Sequence, residues 1–153
     1  MGHHISAIVI AGDIDALRAA EFDAKIVPLL HGFTAIALIA DYVDAWAERL
    51  GIPGAQNSIP LLNFSVVHHI ASELANGRPF ALIETDYFGG RGTQSAAVYH
   101  ADTELLGPTN NSSAINDALR RIGVTRNGAQ DEFDTVGLGD HRHWDDLFDD
   151  YFN

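Results

Sequence analysis

Beyond Arg78 the chain changes from helical to two-residue periodicity, and this change limits the fold more than any other feature. "FALIETDYF" (80–88) and "TQSAAVYH" (93–100) are β-like runs joined through "GGRG". Glycines supply the positive φ angles of a tight loop, so the two runs read as an antiparallel hairpin. With Gly89 to Gly92 as a four-residue loop, Asp86 falls opposite Ser95, Glu84 opposite Ala97 and Leu82 opposite Tyr99. The other face pairs Ile83 with Val98, Thr85 with Ala96 and Tyr87 with Gln94. That second face is mostly apolar and belongs to a core. Glu84 and Asp86 then stand side by side among small residues, and a shallow acidic concavity is expected beside the loop.

The rest of the chain supplies partners for this hairpin. "HHISAIVIAG" is β-branched and apolar up to Gly12 and reads as a buried strand. Asp13 is placed to cap a short helix with Ile14 and Leu17 facing inward, ending near Phe22. "KIVPLL" and "FTAIALIA" form two strands around "HG", and Pro28 puts the first at a sheet edge or makes it irregular. Asp41 precedes a helix whose Val43, Trp46, Ala47 and Leu50 share one stripe, stopped by Gly51 and Pro53. "IPGAQNSIPLL" is a loop. A second helix runs from about Asn63 to Asn76 with Phe64, Val67, Ala71 and Leu74 inward. "TELLGP" extends the sheet, and Ser112 or Ser113 starts a helix with Ile115, Ala118, Leu119 and Ile122 as its seam.

Only some of these strands are separated by a helix long enough for a parallel crossover. The expectation is one α+β domain over residues 1–153, with a mixed or mainly antiparallel sheet and helices packed mainly on one face. In the tail, Trp144, Leu147, Phe148 and Tyr151 form an apolar helical stripe, while Asp145, Asp146, Asp149 and Asp150 lie mainly on the other side. A C-terminal amphipathic acidic helix is expected there.

Composition removes whole classes of chemistry. The chain has no cysteine, so disulfides, zinc–thiolate sites and a cysteine nucleophile are excluded. Its net charge of −12 repels phosphates, which argues against nucleic acid and anionic membranes as partners and favours a basic protein. With neither a signal-peptide pattern at the start nor an apolar run of bilayer length, a cytoplasmic protein is expected.

Glu84 and Asp86 are the candidates for acid–base work or for holding a hard cation, because two carboxylates at i and i+2 raise one another's pKa. His68 or His100 would assist. No histidine lies at a recognised metal-ligand spacing, and no metal or cofactor is expected. The neighbours His68 and His69 point in different directions on a helix, His68 toward the buried seam and His69 toward solvent. "GGRGTQS" lacks the spacing and lysine of a phosphate-binding loop and leads into a strand, not a helix. Ser95 has no G-x-S-x-G context.

The combination "ETDYFGGRGTQSAAVY", "AINDALRRIGV" and "DEFDTVGLGDHRHWDDLF" resembles a group of small uncharacterised bacterial proteins, which carries no assigned activity and transfers no functional residues. In size and acidity the chain is also similar to the immunity proteins of bacterial toxin systems, a likeness of character without a shared motif. That likeness implies a compact cytosolic inhibitor whose acidic surface blocks a basic active site. The expected function is therefore a protein-binding module of inhibitor or immunity type. Its contact residues would come from Glu84, Asp86, Tyr87 and Arg91, or from Trp144, Asp145, Asp146, Asp149 and Asp150. The alternative is a small enzyme or ligand-binding domain that uses Glu84 and Asp86.

Overall fold

Among the described residues, six antiparallel strands form one sheet in the order β2-β3-β1-β4-β5-β6: β1 His3–Ala11, β2 Lys25–Pro28, β3 Phe33–Leu38, β4 Phe80–Phe88, β5 Arg91–His100 and β6 Thr103–Asn110. The computed structural model describes residues 3–52, 64–88, 91–101, 103–128 and 130–138. Five helices are present among them: α1 Ala16–Glu21, α2 Ala40–Leu50, α3 Phe64–Ala75, α4 Ala114–Arg121 and α5 Glu132–Thr135. The fold is α+β, as the mixture of periodicities implies. The expected C-terminal helix and the "IPGAQNSIPLL" loop beyond Ile52 lie outside the described residues.

β1 is central because both of its faces are apolar. Ile5, Ala7, Ile8, Val9 and Ile10 are all fully buried, which requires helices on both sides of the sheet. Ile8 and Ile10 share a face with their register partners Leu82 and Phe80, and there the ring of His68 on α3 stands edge-on to Phe80 and Tyr99. α1 and α2 join α3 on this side: Phe22 meets Trp46 and His69, and the Tyr42 hydroxyl donates to the Phe22 carbonyl. α4 and α5 cover the opposite face, where the Gln94 side chain accepts from Ile115 N beside Thr85. Three of the five helices thus share one face. β3 and β4 flank β1, and α2 and α3 come between these two strands in the chain.

Local chemistry accounts for most boundaries. β2, with Pro28, is an edge strand, where a missing N–H costs no ladder bond. α2 stops at Gly51, whose φ of 67° a side-chain-bearing residue adopts only with strain. Ile115, Ala118, Leu119 and Ile122 are buried as their spacing requires.

One helix departs from expectation. α1 is capped by Asp15, whose side chain accepts from Leu17 N, and Leu17 is 78% exposed instead of inward. The helix docks through Ala19 and Phe22, and a residue two positions from Ala19 is turned by about 200° to the opposite face. α2 likewise has Ile39 at its N-cap, with Asp41 in the first turn.

Candidate functional site

The hairpin brings Glu84 to a different place from the one its glycines suggest. Pairing runs on to Phe88 opposite Arg91, so Arg91 and Gly92 belong to the ladder. Glu84 therefore lies opposite Ser95, and Asp86 opposite Thr93, two residues away from the expected register. Across β1, Glu84 lies opposite Ser6, and across β5 Ser95 lies opposite Asn110. The result is a polar row of Ser6, Glu84, Ser95 and Asn110 across four strands. Ser6 Oγ donates to Glu84 Oε2 at 3.1 Å, and Asn110 Nδ2 donates to Ser95 Oγ at 2.9 Å. Glu84 is only 8% exposed, so the expected shallow acidic concavity is replaced at this residue by a buried, hydrogen-bonded carboxylate.

Of the two histidines proposed to assist it, His68 packs among aromatic rings and His100 against a backbone carbonyl. His68 stacks edge-on against Phe80 and Tyr99 at ring separations of 5.6 and 4.9 Å. Phe80 is four residues from Glu84 along β4, roughly 13 Å in an extended strand. His100 is exposed and its Nε2 lies 2.7 Å from the Gly77 carbonyl, which ties β5 to the end of α3. Among the described residues no group of three or more histidines and carboxylates is arranged to hold a metal ion, and no helix is long and apolar enough to cross a membrane. The side chains of Asp86, Tyr87 and Arg91 lie outside the described set, as do Trp144, Asp145, Asp146, Asp149 and Asp150 altogether.

Tyr99 is an ionisable group that burial perturbs. Desolvation holds its phenol pKa above the usual value, with Glu104 on β6 adding charge repulsion and a hydrogen bond that favours the neutral form. Because the folded pKa is raised, folding favours the protonated phenol. That contribution is complete below about pH 10, the ordinary tyrosine value, and is lost as pH rises through the higher folded value. We expect stability to fall in that alkaline window and the fall to shrink in Tyr99→Phe. Denaturation midpoints of both proteins across the window check this, and identical pH profiles would refute it.

The open features of the molecule are elsewhere. A cleft of about 640 Å³ lies between α1 and the C-terminal end of α3, lined by Asp13, Asp15, Arg18, Ser72, Glu73 and Arg78 among others. Arg78 is the residue that sequence reading passes over. Its guanidinium donates to the carbonyls of Ala75 (2.8 Å), Ala11 (2.7 Å) and Leu74 (3.5 Å), clamping the last turn of α3 to the end of β1. The signal for it was an arginine directly after the Asn-Gly stop of a helix, where cations bond to the last carbonyls. A smaller cavity of about 180 Å³ lies on the opposite face between Thr85, Gln94, Ile115 and Phe133.

Carboxylates dominate the α1–α2 side. Asp13, Asp15, Glu21, Asp23, Asp41, Asp44 and Glu48 are all exposed, and only Arg18, Lys25 and Arg49 oppose them over residues 13–50. Arg49 reaches Asp23 at 3.3 Å, joining the two helices. On α2, Asp41, Asp44 and Glu48 follow one another at helical spacing and form an outward stripe. The chain matches no protein-family model, no curated protein and no solved structure.

Proposed function

We propose that this chain is an acidic protein-binding module of inhibitor or immunity type, whose negative surface meets a basic protein partner. The observation that carries the reading is the outward carboxylate stripe of α2 with its neighbours on α1, set on a rigid two-faced sheet. Charge of one sign on a rigid surface steers an oppositely charged partner and penalises wrong ones. The burial of Glu84 also supports it, because it takes the best candidate acid–base group away from solvent.

Affinity capture from the native host tests the proposal. A stoichiometric basic protein is expected, released as salt is raised from about 0.05 to 0.5 M, since screening weakens exposed charge pairs. Asp44→Lys with Glu48→Lys changes two exposed side chains, and the doubly substituted protein is expected to fold normally and to lose at least about tenfold in affinity, mainly through slower association. An unchanged association rate for this variant, or capture indifferent to salt, would sink the proposal.

A further inference from the structure

We propose that Asn76-Gly77, in the turn from α3 to β4, is a site of spontaneous deamidation whose rate is set by the Arg78 clamp. The inference is independent of the binding reading above. Only two asparagines of the chain precede a glycine, Asn76 and Asn127. A glycine in that place favours the reaction, because with no side chain to obstruct it its backbone nitrogen can close on the side-chain carbon of the asparagine. Asn76 and Gly77 are both exposed, and neither the Asn76 side chain nor the Gly77 N–H makes a hydrogen bond among the described residues. The reacting groups are therefore accessible.

The chemistry balances with water alone. Once base has removed the Gly77 amide proton, the nitrogen attacks Cγ of Asn76, the new C–N bond closes a succinimide, and Nδ2 takes up a proton and leaves as ammonia. Water then opens the ring. Addition at Cγ gives aspartate, and addition at the main-chain carbonyl carbon gives isoaspartate, with the backbone rerouted through the side chain.

Backbone geometry withholds this step from the folded protein. Asn76 has φ of 48° and Gly77 of 88°, and Arg78 N donates to the Ala75 carbonyl at 3.1 Å, which together make a type I′ turn. In that turn the Gly77 nitrogen lies across the Cα–C bond from Cβ of Asn76, so the ring closes only after ψ of Asn76 rotates and the turn breaks. That opening is resisted from both sides. Arg78 Nε holds the Ala75 carbonyl at 2.8 Å, its Nη1 holds the Ala11 carbonyl at 2.7 Å, and His100 Nε2 lies 2.7 Å from the Gly77 carbonyl. Asn127 carries no such lock, because it is the first residue of the turn that Gln130 N closes on its carbonyl, outside the two central positions whose angles the turn fixes. It serves as the internal reference. Isoaspartate at 76 would lengthen the turn and set a carboxylate at the negative end of α3, so the product loosens the junction that delays its formation.

The test incubates the full chain in mildly alkaline buffer and follows conversion at Asn76 and Asn127 by peptide mapping and mass spectrometry. A free peptide of residues 74–79 gives the unrestrained rate. The slowing of Asn76 in the folded chain relative to that peptide is expected to match, within about threefold, the protection of the Arg78 amide against hydrogen exchange, since both need the same opening. Arg78→Met, compared with its own peptide, and Gly12→Ala, which displaces the clamp from outside the turn, are each expected to speed Asn76 by at least about tenfold and to leave Asn127 unchanged. Conversion of Asn76 in the folded chain at the peptide's rate would overturn the inference. So would one rate at Asn76 in all three proteins, or an acceleration that Asn127 shares in equal measure.

Discussion

Gly12→Ala is expected to destabilise the fold by about 2–3 kcal/mol. Gly12 has φ of 88°, and a left-handed backbone costs a side-chain-bearing residue roughly 1–2 kcal/mol. The added methyl would also stand 2.9 Å from Arg78 Nη1, inside contact distance. A terminal guanidinium nitrogen ordinarily moves aside at little cost. Here it is bonded to the Ala11 carbonyl at 2.7 Å while Nε and Nη2 hold Ala75 and Leu74, so displacing it loosens a three-point clamp. A partly exposed bond to a charged donor contributes about 1 kcal/mol, near the low end of its range.

Arg78→Met, which keeps the stem and removes all three donors, should cost about 2–3 kcal/mol by the same reckoning. The two changes share one contact and should not add. With Arg78 gone, alanine at position 12 meets only its backbone strain, so the double variant should be about 1 kcal/mol more stable than the sum of the two single losses. Urea denaturation of the four proteins measures the coupling. Strict additivity would show that Arg78 does not pin the β1–α3 junction.

The residues that were easy to read are those whose role is local. Pro28 at an edge, Gly51 after α2 and the seam from Ile115 to Ile122 follow from backbone chemistry and helical spacing within a few residues of each position. Glu84 was misread because its surroundings depend on register, and register depends on how many residues the hairpin loop takes. Three glycines around an arginine suggested a loop of four, yet the ladder extends through Arg91 and Gly92. A two-residue shift preserves the face but changes every neighbour. The cleft and its arginine clamp were illegible for a related reason. They join residues 11–18 to residues 72–78, and no periodicity within either segment encodes that meeting. The acidic character of the chain was plain from composition. Its concentration on α1 and α2, in addition to the tail, required knowing which faces are turned outward.

Glu84→Ala should cost about 3 kcal/mol, a further large loss from a single substitution. The side chain is buried, so its removal leaves a cavity, and it withdraws the acceptor that Ser6 Oγ uses at 3.1 Å. Glu84→Gln retains the size and an accepting oxygen and should cost less than about 1 kcal/mol. The contrast between the two variants separates a structural carboxylate from a functional one. A functional acid–base or cation-holding group would lose its activity on conversion to glutamine with little change in stability on conversion to alanine. The row in which Glu84 sits suggests what it does instead. Ser6, Glu84, Ser95 and Asn110 align only in the observed pairing, and a slip of β5 by two residues would set Glu84 against Ala97 or Thr93 and break the row. Polar groups buried in this way favour one register over its neighbours even where apolar residues would give equal stability. Glu84→Leu is therefore expected to retain most of the stability while hydrogen exchange quickens across β4 and β5. Unchanged exchange in that variant would remove the register role and leave the carboxylate to be explained by packing.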